Sequence, residues 1–275
     1  MANVIINKET CIGCGLCVKD CSNGAIILED KKAKVNLKLC NECSHCVAVC
    51  PQASVSMSDY DENEIIKYDK GRLNIAPDDF LYLLKFRRSV RQFKNKDIES
   101  DKLAGIIEAG RYSPTASNRQ SNRFIIIKDK LDDVRNSAIN TLYDMAVNTD
   151  YMKNQPVYRN LFIKMHEDYK NNKGDRLFFN APAVMVITSE NKSGFADIDA
   201  GIAASRMELQ AVSSGLGVCY IGFLKSAITL NSDIKKLMDM GDNEEFILSF
   251  VLGYPDVKYQ RTVHRKPADV RIKHR

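Results

Sequence analysis

The chain has 275 residues, of which 44% are hydrophobic and 27% charged, with 7 prolines and 14 glycines. This length and composition support one or two folded domains and exclude the disordered, collagenous and low-complexity classes. No apolar run approaches the ~20 residues of a membrane span, and the N-terminal residues lack the pattern of a signal peptide. We therefore expect a cytoplasmic protein that does not bind a membrane.

The formal net charge of +5 is concentrated at the C-terminal end. Residues 1–60 are neutral overall, whereas residues 261–275 hold six Lys or Arg and one Asp. A basic tail of this kind could bind a nucleic acid or an anionic membrane surface. A solvated tail that lends one or two cations to a phosphate site explains the same pattern, and we expect no nucleic-acid partner.

The cysteines carry the strongest pattern in the sequence. Eight of the nine fall in the first fifty residues, in two runs of the form C-x2-C-x2-C-x3-C that are 29 residues apart. Disulfides are disfavoured in a reducing compartment, and structural zinc sites usually take two cysteine pairs set well apart. Three thiolates within seven residues are instead typical of iron–sulfur proteins, so the internal repeat predicts two [4Fe–4S] clusters.

These runs resemble the bacterial two-cluster ferredoxins over about residues 1–58, with short β-prone stretches at residues 4–6, 25–28 and 54–57. In that family the fourth cysteine of each run serves the other cluster. The resemblance implies one cluster on Cys11, Cys14, Cys17 and Cys50 and another on Cys40, Cys43, Cys46 and Cys21. Ser22 departs from the family, because a proline normally follows the fourth cysteine, as Pro51 does in the second run.

Residues 59–75 are polar and lack a sustained apolar period, which predicts a linker or arm before a second domain over residues 76–275. In that domain we predict helices from Asp78, from about Ser100 and over residues 197–214, the last closed by Gly215. Strands are predicted at residues 124–127, 181–188, 218–221 and 246–252. The pattern is α+β or α/β. A Rossmann fold has no support, because no G-x-G-x-x-G follows a strand.

Four segments of the second domain suit a phosphorylated, planar cofactor. FRRSVRQF holds Arg87, Arg88, Ser89 and Arg91, whose cations repel one another unless they share an anion. SPTASNRQSNRF is a turn-rich loop before a strand, with Asn118 and Gln120 as amide hydrogen-bonding groups. GLGVCYIGF holds glycines that allow close backbone approach, and GYPDVKYQRTVHRKP ends in a basic pair. Singly, each segment could equally be a solvated turn or a polar loop.

In this order and spacing, the four segments resemble the FMN-dependent nitroreductase family over about residues 76–270. The resemblance implies an α+β domain, with a central sheet flanked by helices, that binds FMN between the subunits of a homodimer. The FMN phosphate and ribityl chain would contact Arg87, Arg88, Ser89 and Arg91, with Arg265 and Lys266 returning to the phosphate. The other subunit's flavin would contact Pro114, Thr115, Ala116, Ser117, Asn118 and Gln120. Backbone amides near Ile221 and Gly222 would face the isoalloxazine ring.

Three features limit the resemblance. Many members carry tryptophan near the second and third segments, and this chain has none. Residues 142–179 are rich in aromatic side chains, which either cover the flavin as a lid or pack in the core or at a dimer interface. Cys219 is a lone thiol in a predicted strand, and we interpret it as a packing residue.

Together these patterns predict an iron–sulfur flavoprotein oxidoreductase in which the flavin N5, and no side chain, carries the chemistry. Electrons would come from NAD(P)H or a low-potential donor protein, pass between the clusters and FMN, and reduce a small electron-poor acceptor such as a nitroaromatic or a quinone. Two alternatives remain open. One is reductive dehalogenation or C=C reduction on the same scaffold, and the other is a non-enzymatic electron-transfer module for a partner protein.

Overall fold

The computed structural model describes residues 4–190 and 194–273, which form two compact units. The first unit contains the described chain up to Asn74 together with Thr115–Gln120, and the second contains Ile75–Pro114 and the described chain from Ser121 onward. The polar residues 59–74 belong to the first unit, where Glu62–Glu64 forms a 3-10 turn.

The first unit consists of two interlocked halves. Its elements are β1 (Val4–Ile6), α1 (Leu16–Asp20), β2 (Ile26–Glu29), β3 (Lys32–Val35), α2 (His45–Val49) and β4 (Val55–Met57). The 29-residue offset of the cysteine runs maps α1 onto α2, and maps β1 onto β3 and β2 onto β4 to within one residue. β1 pairs antiparallel with β4, and β2 with β3. Each sheet therefore combines one strand from each half.

The backbone repeats with the same period. Gly15 and Ser44, which precede α1 and α2, both adopt left-handed conformations with φ of 74° and 59°. The core between the two sheets is small and consists of Val4, Cys11, Ile26, Ala33, Cys46, Val55 and Met57. Two of these seven buried residues are cysteines, so thiols occupy part of the space that apolar side chains fill in an ordinary core.

The second unit is built around one four-stranded sheet. Its elements are α3 (Pro77–Phe86), α4 (Ser100–Arg111), β5 (Asn122–Ile127), α5 (Leu131–Asn148), α6 (Pro156–Lys170), β6 (Ala183–Ser189), α7 (Ala196–Ser213), β7 (Gly217–Tyr220), α8 (Phe223–Leu230), α9 (Asp233–Leu237) and β8 (Glu245–Gly253). The strands lie in the order β5–β6–β8–β7, and every neighbouring pair is antiparallel.

Both faces of this sheet are covered. All seven residues of β6 are buried, and its five apolar residues alternate between two hydrophobic clusters because successive side chains point to opposite faces. Met185 and Ile187 pack in the cluster with α4 and α7, while Val184 and Val186 pack in the cluster with α5, α6 and α8. This arrangement confirms the predicted α+β domain with a central sheet flanked by helices.

The aromatic side chains of residues 142–179 contribute largely to packing. Phe162 of α6 and Phe178 are buried in the cluster under α5, and Phe162 meets Phe223 edge-on at 5.0 Å between ring centroids. These contacts correspond to the core alternative of the sequence analysis. Among the described helices, none is both long and apolar enough to cross a membrane.

Candidate functional site

The first unit contains a thiol-lined cavity. It measures about 370 Å³ including its open mouth, and the cysteines that line it are Cys11, Cys14, Cys17 and Cys50. Cys50 belongs to the second run. It reaches this cavity because the pairing of β1 with β4 brings the end of the second run beside the first run. The structure thus brings together the four side chains that the ferredoxin resemblance assigns to one cluster.

The second set of cysteines is related to the first by the repeat. Cys40, Cys43 and Cys46 lie near enough for the first two to influence the ionisation of the third. Cys21 is 29 residues before Cys50 and occupies the equivalent position in the first half. No three His, Cys, Asp or Glu side chains in the described ranges converge on a single-ion site. A cubane cluster has a different requirement, namely one thiolate for each of four irons.

Backbone N–H groups point at the sulfur atoms in matched pairs. The N–H of Ala25 donates to Cys21 Sγ at 3.2 Å, and 29 residues later the N–H of Ser54 donates to Cys50 Sγ at 3.3 Å. The thiolate is the form of cysteine that binds iron, and a backbone N–H can donate to the sulfur of a metal-bound thiolate. Because the same bond occurs at the fourth cysteine of both runs, both sets of cysteines suit the same kind of anionic group.

The surroundings of the thiols shift their pKa values in opposite directions. The N–H of Ala33 is the main cause that holds the pKa of Cys11 below its usual value, and Lys32 adds to the effect. Burial raises the pKa of Cys17, and it raises the pKa of Cys46 to about 11. Because only the thiolate binds iron, cluster binding must release protons from the thiols whose pKa is raised by burial as well as from Cys11, whose pKa is lowered.

The segment Thr115–Gln120, which belongs to the first unit, bonds to residues near the second cysteine run. The side-chain amide of Asn118 donates to the carbonyls of Asn41 at 3.2 Å and Glu42 at 3.0 Å, between the first two cysteines of the second run. Gln120 Nε2 donates to the Tyr60 hydroxyl at 3.1 Å. Both side chains were predicted to contact a flavin. In the structure they bond to residues of the first unit, which we call the cysteine unit. Ser117, Asn118 and Gln120 all have positive φ, near 50°.

In the second unit, the arginine–serine segment runs along the edge of the sheet. After α3 ends, Ser89 forms a parallel bridge with Val218 of β7, and the N–H of Val90 donates to the Val218 carbonyl at 3.0 Å. Gly217 makes this approach possible, because a Cβ there would lie 2.5 Å from Val90 Cγ2. The third predicted segment is thus placed against the first.

Arg87 is tied to an acidic side chain that the sequence analysis missed. Its Nη1 lies 3.0 Å from Oε1 of Glu208, which is buried on α7, and the Tyr220 hydroxyl also bonds to this carboxylate. Burial raises the pKa of Glu208, although Arg87 opposes the shift, and burial raises the pKa of Tyr220 as well. Glu208 shares a helical face with the buried Ala204 and Ala211, and a charge on that alanine-rich face was the available signal.

Cys219 joins the remaining members of the segment. Its buried thiol lies within hydrogen-bond reach of the side chains of Ser89 and Arg91, which oppose the rise in its pKa caused by burial. Glu208 also influences this thiol. Arg87 therefore contacts Glu208 of α7, whereas Ser89 and Arg91 contact Cys219 of β7, so all three side chains lie along the β7 edge of the sheet. Arg88 is half-buried outside this set.

The other predicted cofactor contacts are placed as follows. Ile221 donates its N–H to the Ser249 carbonyl at 3.0 Å, so this amide is already engaged, while the exposed Gly222 immediately precedes α8 as its N-cap. The C-terminal segment reaches the site at Tyr259, whose hydroxyl donates to the Ser89 carbonyl at 3.4 Å. Arg265, Lys266 and Pro114 are exposed.

A repeat of thiols, in one chain with an α+β domain that clusters cations, defines a redox protein with an iron–sulfur module. The chain belongs to the nitroreductase family, whose model matches residues 84–254. A 4Fe–4S dicluster domain matches residues 3–51. These matches confirm the predicted fusion of a two-cluster ferredoxin domain with a nitroreductase-family oxidoreductase domain.

Individual proteins resemble the two parts separately. The chain is 25% identical to a 4-nitrobenzoate reductase of Pseudomonas putida, over 66% of this chain and 88% of that protein. It is 41% identical to an uncharacterized ferredoxin of Methanocaldococcus jannaschii over 24% of this chain, which spans 40% of that protein's length. The crystal structure of a nitroreductase with bound FMN from Bacteroides fragilis shares the fold, with a TM-score of 0.58 at 20% identity over 70% of this chain and 98% of that one.

Proposed function

We propose that this protein passes electrons between two [4Fe–4S] clusters and FMN and reduces a small, electron-poor organic acceptor such as a nitroaromatic or a quinone. The observation that carries the proposal is the meeting of Arg87, Ser89 and Arg91 at the β7 edge of a nitroreductase fold, in a chain that also holds the thiol-lined cavity. One-electron carriers combined with a two-electron carrier form a chain suited to complete reduction of the flavin.

The cysteine unit would hold the two clusters. Cys11, Cys14, Cys17 and Cys50 would bind one, and Cys40, Cys43, Cys46 and Cys21 the other. The N–H groups of Ala25 and Ser54 would stabilise the negative charge on the fourth thiolate of each run. Hydrogen bonds to cluster sulfur influence the reduction potential, so these amides would help to set it.

The arginine–serine segment would hold the FMN phosphate. Guanidinium groups and a hydroxyl supply the multiple donors that phosphate oxygens require, and Gly217 keeps the segment close to the sheet. Arg265 and Lys266 would close over the phosphate from the C-terminal segment, and the Gly222 amide would face the ring. FMN, when bound, accepts electrons one at a time and delivers a hydride from N5.

The assembly and the electron donor are further parts of the proposal. The nitroreductase resemblance supports a homodimer, in which the loop that includes Pro114 and Thr115 would approach the flavin held mainly by the other subunit. NAD(P)H or a low-potential donor protein would supply the electrons. Similarity to a 4-nitrobenzoate reductase supports a nitroaromatic acceptor.

An anaerobic reductive titration of the purified protein, with iron and flavin assayed on the same sample, tests the proposal. We expect about eight irons, one FMN and roughly four electrons per chain, two for the clusters and two for the flavin. Clusters without FMN, even after reconstitution, would contradict the enzyme and leave a ferredoxin-like carrier.

Acceptor specificity needs a second experiment. The reduced protein is mixed with 4-nitrobenzoate, a quinone, a halogenated aromatic and an activated alkene, and reoxidation is followed by stopped-flow absorbance. Fast reoxidation by the first two supports the proposal, and a preference for either of the others favours the dehalogenase or C=C reductase alternative. Slow reoxidation by all four, with fast reoxidation by a redox protein, would indicate an electron-transfer module.

A further inference from the structure

Glu208 is a buried carboxylate inside the region assigned to the FMN phosphate. Its side chain is 8% exposed and lies 3.0 Å from the guanidinium of Arg87, whose side chain is 25% exposed. A buried acid next to a site for an anion is electrostatically unexpected, because it neutralises the cation that the anion needs. Glu208 therefore offers Arg87 an alternative anionic partner.

We propose that Glu208 competes with the FMN phosphate for Arg87 and takes up one proton from solvent when FMN binds. This inference rests on the proposed function, since it requires Arg87 to be a phosphate ligand. Glu208 would act as a positioning residue that ties the affinity for FMN to pH.

The charges around Glu208 support a proton-linked exchange. Arg87 contacts Glu208 from the end of α3 and the Tyr220 hydroxyl bonds to it from β7, while Cys219 is near enough for Glu208 to influence its pKa. Helix α4 contributes apolar groups to its contact with α7, such as Ile106 in the same hydrophobic cluster. Above the pKa of Glu208, a phosphate placed on Arg87 would therefore meet an ionised carboxylate with little solvent to screen it.

Protonation of Glu208 relieves this conflict. A neutral carboxyl can keep its hydrogen bond to Tyr220 while Arg87 turns to the phosphate. Burial raises the pKa of Glu208, and an adjacent phosphate would raise it further. Between the two pKa values, each FMN bound takes up a proton, so the FMN affinity falls as the pH rises through that window.

The test compares FMN binding to the full chain, with its clusters in place and its flavin removed, between about pH 6 and pH 9. The variants are Glu208→Gln, which keeps the shape and removes the charge, and Glu245→Gln, a matched change of an exposed glutamate at the start of β8. Riboflavin serves as a probe without phosphate. Comparison between proteins at each pH cancels the ionisation of the phosphate itself.

We expect the Kd of wild-type protein for FMN to rise by up to about tenfold per pH unit relative to Glu208→Gln, within the linkage window. Glu208→Gln should bind FMN about tenfold more tightly than wild type at the upper end and nearly equally at the lower end. Riboflavin affinity should not separate the proteins, and Glu245→Gln should follow wild type.

Calorimetry of the wild type in two buffers of different ionisation enthalpy gives the proton count without any variant. Uptake of up to one proton per FMN supports the inference. FMN binding with no proton uptake, or an equal or weaker affinity of Glu208→Gln at every pH, overturns it while leaving the proposed function intact. A wild-type chain that holds its clusters but binds no FMN overturns the proposed function and this inference together.

Discussion

The two compact units are stabilised in different ways. The cysteine unit has a small core in which thiols take part, and a cavity lined by four cysteines. The nitroreductase unit has a sheet with a hydrophobic cluster on each face and a central strand, β6, that is buried throughout. A small domain with little apolar core depends on a bound metal group for its stability, whereas a packed sheet does not. The two units should therefore respond differently to matched substitutions.

The largest effect is expected when a cluster ligand is lost. Cys50→Ser removes the thiol that links the second run to the cavity of the first. We expect iron to fall from about eight to about four per chain and the cysteine unit to become sensitive to proteases. The far-ultraviolet circular dichroism of the nitroreductase unit should persist. Iron assay and electron paramagnetic resonance of the reduced protein measure the change.

Cys219→Ser is the matched control, since it makes the same change in the nitroreductase unit. Its iron content should equal that of the wild type. Full iron retention by Cys50→Ser, or an equal loss of iron in both variants, would contradict the crossed assignment of ligands.

A smaller effect is expected from overpacking the sheet edge of the second unit. Gly217→Ala would place a Cβ 2.5 Å from Val90 Cγ2, at the contact that carries the arginine–serine segment. We expect a loss of about 1–3 kcal/mol in the free energy of unfolding, together with weaker FMN binding and unchanged iron. Thermal unfolding and FMN titration measure the two losses.

Gly201→Ala provides the comparison within the same unit. Gly201 lies on the exposed side of α7, and a Cβ added there would have nothing within 4 Å of it. Alanine there should leave stability unchanged or raise it by roughly 0.5–1 kcal/mol. Equal destabilisation by the two substitutions would show that helix propensity or backbone effects, rather than the contact with Val90, determine the result.

Much of the fold could be predicted because its signals are local. The 29-residue repeat predicted a unit with two clusters, and apolar runs predicted β5, β6, β7 and β8 within two residues at each end. Helices α5 and α6 were not assigned, since their mixed sequences bury only one narrow stripe against the sheet. Aromatic richness there suggested a lid as readily as a core, and only the packing of Phe162 and Phe178 decides between them.

The site residues likewise divide into those with a local signal in the sequence and those without one. The cysteine runs and the density of cations in FRRSVRQF are visible in the sequence itself. The pairing of Arg87 with Glu208 joins residues 121 positions apart, and Asn118 meets Asn41 across 77 positions. Contacts this distant leave no periodic signal, so they emerge only from the folded chain.

The smallest effect concerns the segment Thr115–Gln120, which interrupts the nitroreductase sequence yet belongs to the cysteine unit. Asn118→Ala removes the two hydrogen bonds to the carbonyls of Asn41 and Glu42. We expect the loop between Cys40 and Cys43 to lose about 0.5–1.5 kcal/mol of local stability, which corresponds to amide exchange faster by up to about tenfold. Hydrogen exchange followed by mass spectrometry measures this change.

Gln120→Ala sharpens the result, because it removes a bond from the same segment to the Tyr60 hydroxyl, away from the cysteines. Exchange around residues 40–43 should then stay close to that of wild type. Faster exchange in the Asn118 variant alone would mean that a segment of the nitroreductase sequence stabilises a cluster-binding loop. Unchanged exchange in both variants would mean that the part of the cysteine unit before Asn74 holds this loop without the segment Thr115–Gln120.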